Sequence, residues 1–110
     1  MPAAYTVRKA ANGQFYFNLT AENSQKILAS ETYTEKANAL KGIESVRANS
    51  PLDERYQRKT SADGKPYFVL VAANNQVIGQ SEMYSSDQAM ENGIASVKRN
   101  GPEAPIKDET

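Results

Sequence analysis

GQFYFNLTAENSQKI (residues 13–27) and GKPYFVLVAANNQVI (residues 64–78) are one pattern written twice, at an offset of 51 residues. Gly13 falls on Gly64, Tyr16-Phe17 on Tyr67-Phe68, Leu19 on Leu70 and Ala21 on Ala72, while Asn23, Gln25 and Ile27 fall on Asn74, Gln76 and Ile78. The match runs outward without a gap. Ser30-Glu31 and Tyr33 meet Ser81-Glu82 and Tyr84, Gly42-Ile43 and Ser45-Val46 meet Gly93-Ile94 and Ser96-Val97, and Asn49 and Pro51 meet Asn100 and Pro102. Tyr5 meets Tyr56. Two copies are too few for a solenoid, in which stacked neighbours build a continuous core. The duplication instead predicts a pseudo-two-fold pair sharing one core. The expected organisation is a single domain over residues 1–110, with repeats at about 5–51 and 56–102 and a C-terminal tail at 103–110.

Each copy reads as strand, strand, strand, helix. Tyr5–Ala10 and Tyr56–Thr60 are short polar strands, followed by Asn12-Gly13 and Asp63-Gly64. Those dipeptides are hairpin signals, because both central residues of a type I′ turn need positive φ. In Phe15–Ala21 the residues Phe15, Phe17, Leu19 and Ala21 share one side and Tyr16, Asn18 and Thr20 the other, as a half-buried strand requires. In Tyr67–Ala72 the core side holds Phe68, Leu70 and Ala72. Asn23-Ser24 and Asn74-Asn75 mark a second turn. Lys26–Ser30 and Val77–Ser81 form third strands. Thr34 and Ser85 are expected N-caps, Ser85 with Gln88 making a capping box. Ala39, Ile43 and Val46, matched by Met90, Ile94 and Val97, recur at helical spacing. Asn49 and Asn100 suit a left-handed helix end, and Pro51 and Pro102 stop the helices. The fold class is therefore α+β: two layers, one mainly antiparallel sheet, and both helices on one face.

Composition limits the chemistry. The 110 residues contain no cysteine and no histidine. Thiol nucleophiles, thiolate metal sites, disulfides and imidazole acid–base catalysis are excluded together. No cofactor or metal is implied. Thirteen basic and thirteen acidic residues balance, which does not suit a dedicated polyanion binder. No stretch approaches the roughly 20 apolar residues needed to span a bilayer. A cytoplasmic protein without a membrane partner, monomeric as an internal pseudo-dimer, is expected.

The pattern Gly-x-x-Tyr-Phe-x-Leu-x-Ala-x-Asn-x-Gln-x-Ile, then Ser-Glu-x-Tyr, then Gly-Ile-x-Ser-Val-Lys/Arg-x-Asn-x-Pro, over Gly13–Pro51 and again over Gly64–Pro102, resembles the YegP-like family of small, mostly bacterial proteins. The resemblance implies two strand–strand–strand–helix–strand units that join one sheet and exchange their last strands, with Glu54–Ser61 serving both units. Single-copy relatives are expected to pair as dimers. At the second hairpin this sequence has Asn-Ser and Asn-Asn where the family often has Asn-Gly. The family brings no established activity, cofactor or catalytic residue.

Three features compete as sites. The far face of the sheet would present Tyr16, Asn18 and Thr20 beside Tyr67, Val69 and Val71, an exposed Tyr/Val patch suited to a partner or an expression of strand propensity alone. Arg8-Lys9 and Arg58-Lys59 with those tyrosines would hold single-stranded nucleic-acid phosphates and bases, or would guard strand edges. At the level of fold, the repeat is similar to Pur-alpha-like nucleic-acid-binding domains. Ser30/Glu31/Tyr33 and Ser81/Glu82/Tyr84 suggest paired carboxylates for acid–base or cation work, against Glu answering backbone donors near a helix start. Mid-helix Gly42 and Gly93 point to close packing on the sheet or a tyrosine ring, or to a small-molecule notch. Arg47, Lys98 and Arg99 are explained by the helix dipole. The leading reading is a non-enzymatic binding module, the alternative a single-strand nucleic-acid binder, with an enzyme third. Residues 1–61 alone are expected to form a symmetric homodimer or to aggregate.

Overall fold

Alternation drives the sheet. Phe17 and Leu19 in the first copy, and Phe68 and Leu70 in the second, lie fully buried on one side of their strands. The structure, a computed structural model, describes residues 2–110. Its elements are β1 (Ala4–Lys9), β2 (Phe15–Thr20), β3 (Lys26–Ala29), α1 (Lys36–Asn49), β4 (Tyr56–Thr60), β5 (Pro66–Val71), β6 (Val77–Gln80), α2 (Asp87–Asn100) and β7 (Ile106–Asp108). Seven strands make one sheet in the order β4-β5-β6-β3-β2-β1-β7. All neighbours run antiparallel except β1 and β7, which are parallel. The two repeats meet at β3 and β6, where Ala29 pairs with Gln80. These two residues are counterparts at the 51-residue offset, so the pseudo-two-fold passes between them.

Both helices cover the same face. Ile43 and Val46 of α1, and Met90, Ile94 and Val97 of α2, join one cluster with Tyr5, Phe17, Leu19, Leu28, Tyr56, Phe68 and Leu70. The aromatic packing repeats. Tyr5 meets Phe17 edge-on at 6.2 Å, and Tyr56 meets Phe68 edge-on at 5.7 Å. Tyr33 stacks on Phe17 and Tyr84 on Phe68. The Tyr5 hydroxyl donates to the Gly101 carbonyl (2.5 Å), and the Tyr56 hydroxyl to the Ser50 carbonyl (2.6 Å). Buried strand tyrosines thus satisfy carbonyls where the helices end.

Local expectations are corrected at five points. The hairpins are not type I′. Positive φ occurs at Gly13 and Gly64 but not at Asn12 or Asp63. Gly13 N–H donates to Ala10 O and Ala10 N–H to Gln14 O, a three-residue loop closed by a left-handed glycine. The second hairpins use the same loop, with Ser24 and Asn75 in the left-handed position. Helix caps lie one residue later than expected. Glu35 precedes α1 without a side-chain cap, and Ser86 accepts from Ala89 N at 3.1 Å. The Ser85–Gln88 capping box does not form, because Gln88 bonds Asn92 instead. Asn49 and Asn100 are ordinary final helical residues whose amides reach back to Ser45 and Ser96. Residues 103–110 are no mere tail: β7 lies against β1. The implied exchange of last strands is therefore present, the strand after α2 serving the first repeat.

Candidate functional site

The six far-face residues do share the face opposite the helices, but they do not form an open patch. One row crosses all seven strands: Lys107, Thr6, Asn18, Ala29, Gln80, Val69, Gln57. Val69 stands between two long glutamines, and Asn18 between Thr6 and Ala29. Val69, Val71 and Asn18 are 4%, 3% and 5% exposed. The expectation of exposed valines is corrected: neighbours on adjacent strands leave them little contact with water. Tyr16, Thr20 and Tyr67 are half-buried.

The basic pairs do not converge. Arg8-Lys9 lies on β1 and Arg58-Lys59 on β4, five strand spacings apart, or about 24 Å. Arg8 pairs with Glu109 at 3.2 Å, and Arg58 with Glu91 at 2.6 Å and Asp53 at 3.2 Å. Lys9 lies over the Phe15 ring. Hydrogen bonds from Arg58 hold the Glu91 carboxyl below its ordinary range, and those from Lys98 and Arg58 do so for Asp53. Asp53, Arg58, Glu91 and Lys98 form one charged cluster beside β4, the outer strand at that end. Charge at an open strand edge opposes pairing with another chain. Arg47 and Lys98 do more than answer helix dipoles, since each lies over the ring of a buried tyrosine, Tyr5 and Tyr56.

In Ser-Glu-x-Tyr, serine and tyrosine carry the structural duty. Ser30 Oγ accepts from Phe17 N–H (2.9 Å) and donates to Glu31 O, and Ser81 Oγ does the same with Phe68 N–H (3.0 Å) and Glu82 O. The carboxylates do not sit at helix starts, because α1 and α2 begin at Lys36 and Asp87. Glu31 and Glu82 instead flank a shallow cavity of about 220 Å³ at the β3–β6 junction. Glu82 pairs loosely with Lys26 at 3.8 Å. Among the described residues, no group of three or more acidic side chains could hold a metal.

Tyr33 and Tyr84 pack over the mid-helix glycines. A Cβ on Gly42 would lie 2.6 Å from the Tyr33 hydroxyl and 2.9 Å from Phe17, and one on Gly93 would collide with the Tyr84 hydroxyl. Burial raises both phenol pKa values. Beside these contacts run two grooves of about 350 Å³ each. One lies between α2 and the β2–β3 hairpin, lined by Asn23, Gln25, Tyr84, Asn92, Gly93, Ser96 and Arg99. The other lies between α1 and the β5–β6 hairpin, lined by Asn74, Gln76, Tyr33, Lys41, Gly42 and Ser45. They are related by the 51-residue offset. Each joins a helix of one repeat to a hairpin of the other, so neither exists in a single repeat. Their cations differ in place: Arg99 answers Ala48, and Lys41 answers Asn92. Sequence reasoning missed these grooves, although the doubled Asn-x-Gln turns and the doubled Gly-x-x-Ser on the helices were visible.

A family model described as "Domain of unknown function (DUF1508)" matches residues 10–57 and again 61–108. The chain belongs to the DUF1508 family. Each matched DUF1508 unit ends in the strand after its helix, β4 or β7, consistent with β7 being part of the second unit. The chain is 57% identical over 108 residues to a UPF0339 protein of Bordetella pertussis, covering 98% of this chain and 97% of that one. It is 53% identical over 110 residues to the UPF0339 protein YegP of Shigella flexneri, covering all of both. Two solution NMR structures share the DUF1508 arrangement. A UPF0339 protein from Shewanella oneidensis matches with a TM-score of 0.92 and 51% identity, over 98% of this chain and 92% of that one. The yegP protein of Escherichia coli matches with a TM-score of 0.94 and 52% identity, over 100% and 95%.

Proposed function

We propose that this protein is a non-enzymatic binding module of the cytoplasm that takes small polar ligands in its two cross-repeat grooves. The observation that carries this reading is their duplication, two hollows of about 350 Å³ with matching carboxamide and hydroxyl walls. That volume is near the lower end for ligand pockets, so the fitting ligand is small. Asn, Gln and Ser offer uncharged donors and acceptors, and the charge beside them is slight, Arg99 in one groove and Lys41 with Glu31 in the other, which favours hydrogen-bonding ligands over polyanions. No helix among the described residues is long and apolar enough to cross a membrane. The wide separation and internal pairing of Arg8 and Arg58 speak against the nucleic-acid alternative.

The test is a two-dimensional NMR screen of the labelled protein against small polar fragments. Hits should shift the amides of Asn23, Gln25, Asn92 and Ser96, or of their counterparts Asn74, Gln76, Lys41 and Ser45. Ser96→Trp, which fills one groove from a half-buried wall position, should remove the first set of shifts and leave the second. Shifts confined to Tyr16 and Tyr67, or none at millimolar fragment, would refute the proposal.

A further inference from the structure

At two places on the pseudo-two-fold axis a residue meets its own counterpart. Leu28 corresponds to Gly79, and Ser50 to Gly101. A Cβ built on Gly79 would lie 2.7 Å from both Cγ and Cδ2 of Leu28. One built on Gly101 would lie 2.7 Å from Ser50 Cβ and nearer still to its Oγ. All four residues are buried. Neither glycine is there for its backbone: Gly101 has φ −56°, and Gly79 is not among the positive-φ residues. Both are there for space. At each point the first repeat supplies the bulk and the second repeat the room. The tyrosine hydrogen bonds beside the second point are matched between repeats, Tyr5 to Gly101 and Tyr56 to Ser50.

We propose that the repeat junction is an unlike-pair interface, in which the surface of the first repeat fits the second repeat of its own chain and rejects a copy of itself. Two first repeats brought together would set Leu28 on Leu28 and Ser50 on Ser50, and a tightly packed core resists added volume. Two second repeats would leave a void where Leu28 belongs, with its own cost. Self-pairing of residues 1–61, expected from the similarity of the two core sets, is therefore disfavoured by these two contacts.

The test is a size swap in the full chain. Gly79→Leu and Leu28→Gly should each lower the melting temperature by on the order of 10 °C. The double variant L28G/G79L, which moves the leucine to the other side of the axis, should recover most of that loss and sediment as a monomer. A double variant melting no higher than the worse single, or a Gly79→Leu protein melting like the parent, would overturn the proposal. The smaller swap reads the same logic should Gly79→Leu fail to fold. Gly101→Ser should lower the melting temperature, and S50G/G101S should restore it. Failure to restore would also overturn the proposal.

Discussion

Single residues carry much of this structure. An exposed mid-helix glycine normally gains roughly 1 kcal/mol on change to alanine. Gly93 should show the opposite sign, because its Cβ would collide with the Tyr84 hydroxyl. Gly93→Ala is expected to destabilise by about 1–3 kcal/mol, and adding Tyr84→Phe should return part of it, as read by urea denaturation. Tyr5 makes a second case. Its phenol is buried and bonded to Gly101 O, and burial drives its pKa well above 10.0. Tyr56 behaves likewise. A raised pKa in the folded state means that stability is intact below the unfolded value, near 10.0, and falls as pH rises beyond it. The protein should therefore unfold in alkali, with Tyr5 and Tyr56 ionising in step with unfolding in an ultraviolet titration. Tyr5→Phe should cost about 1–3 kcal/mol at neutral pH, since it leaves a buried carbonyl unanswered.

Among the elements, the strands and helices were legible because their periodicities are clean. Phe17/Leu19 and Phe68/Leu70 alternate, and Ala39/Ile43/Val46 step at helical spacing. The turn type was less so, because Asn-Gly suits both a two-residue loop and a three-residue loop, and only the backbone distinguishes them. In α2 the cap shifted by a residue because Ser85 and Ser86 are both competent caps by chemistry, whereas α1 starts after Glu35 with no side-chain cap at all. β7 was not recognised from composition. Ile106–Asp108 is short and exposed, and it gains strand character only through its parallel partner. It is held by Lys36–Asp108 and Arg8–Glu109 pairs. The Lys36 and Thr110 hydrogen bonds push the Asp108 carboxyl well below its ordinary value of 3.8. A depressed folded pKa gives stabilisation that is present above the unfolded value and lost as pH falls through the folded one. Measured against intrinsic exchange at the same pH, the β7 amides should therefore lose protection below about pH 4 while the β2 and β5 amides keep theirs. Hydrogen exchange at about pH 3 and about pH 6, either side of that ordinary carboxyl range, checks this. Uniform loss of protection would mean that β7 is not a separately yielding element.

In the molecule as a whole, the duplication announced one shared sheet and fixed neither its weak points nor its hollows. Equivalence between repeats was readable as matched letters. The decisive differences, Leu28 against Gly79 and Ser50 against Gly101, were equally visible but meant nothing until the fold placed each beside its counterpart. The grooves were hidden for the same reason, since their walls come from different repeats. Fragments extend this point. Residues 1–52 and 53–110, each alone, should lack cooperative melting, because small units bury too little surface. Mixed in equal amounts they should recover a folded one-to-one complex. Size-exclusion chromatography with circular dichroism distinguishes this from two independently stable beads.

The parallel contact between β1 and β7 has a consequence for the protein as it is made. β1 leaves the ribosome long before its partner β7, with the rest of the sheet between them in the chain. At about 5–20 residues per second, the sheet stays unfinished for roughly 5–20 s while the remaining chain is synthesised. Throughout that interval the outer edge of β1, which opens on the apolar Ala4–Tyr5, lacks its β7 neighbour. A premature stop anywhere before Ile106 would release a chain with that edge bare.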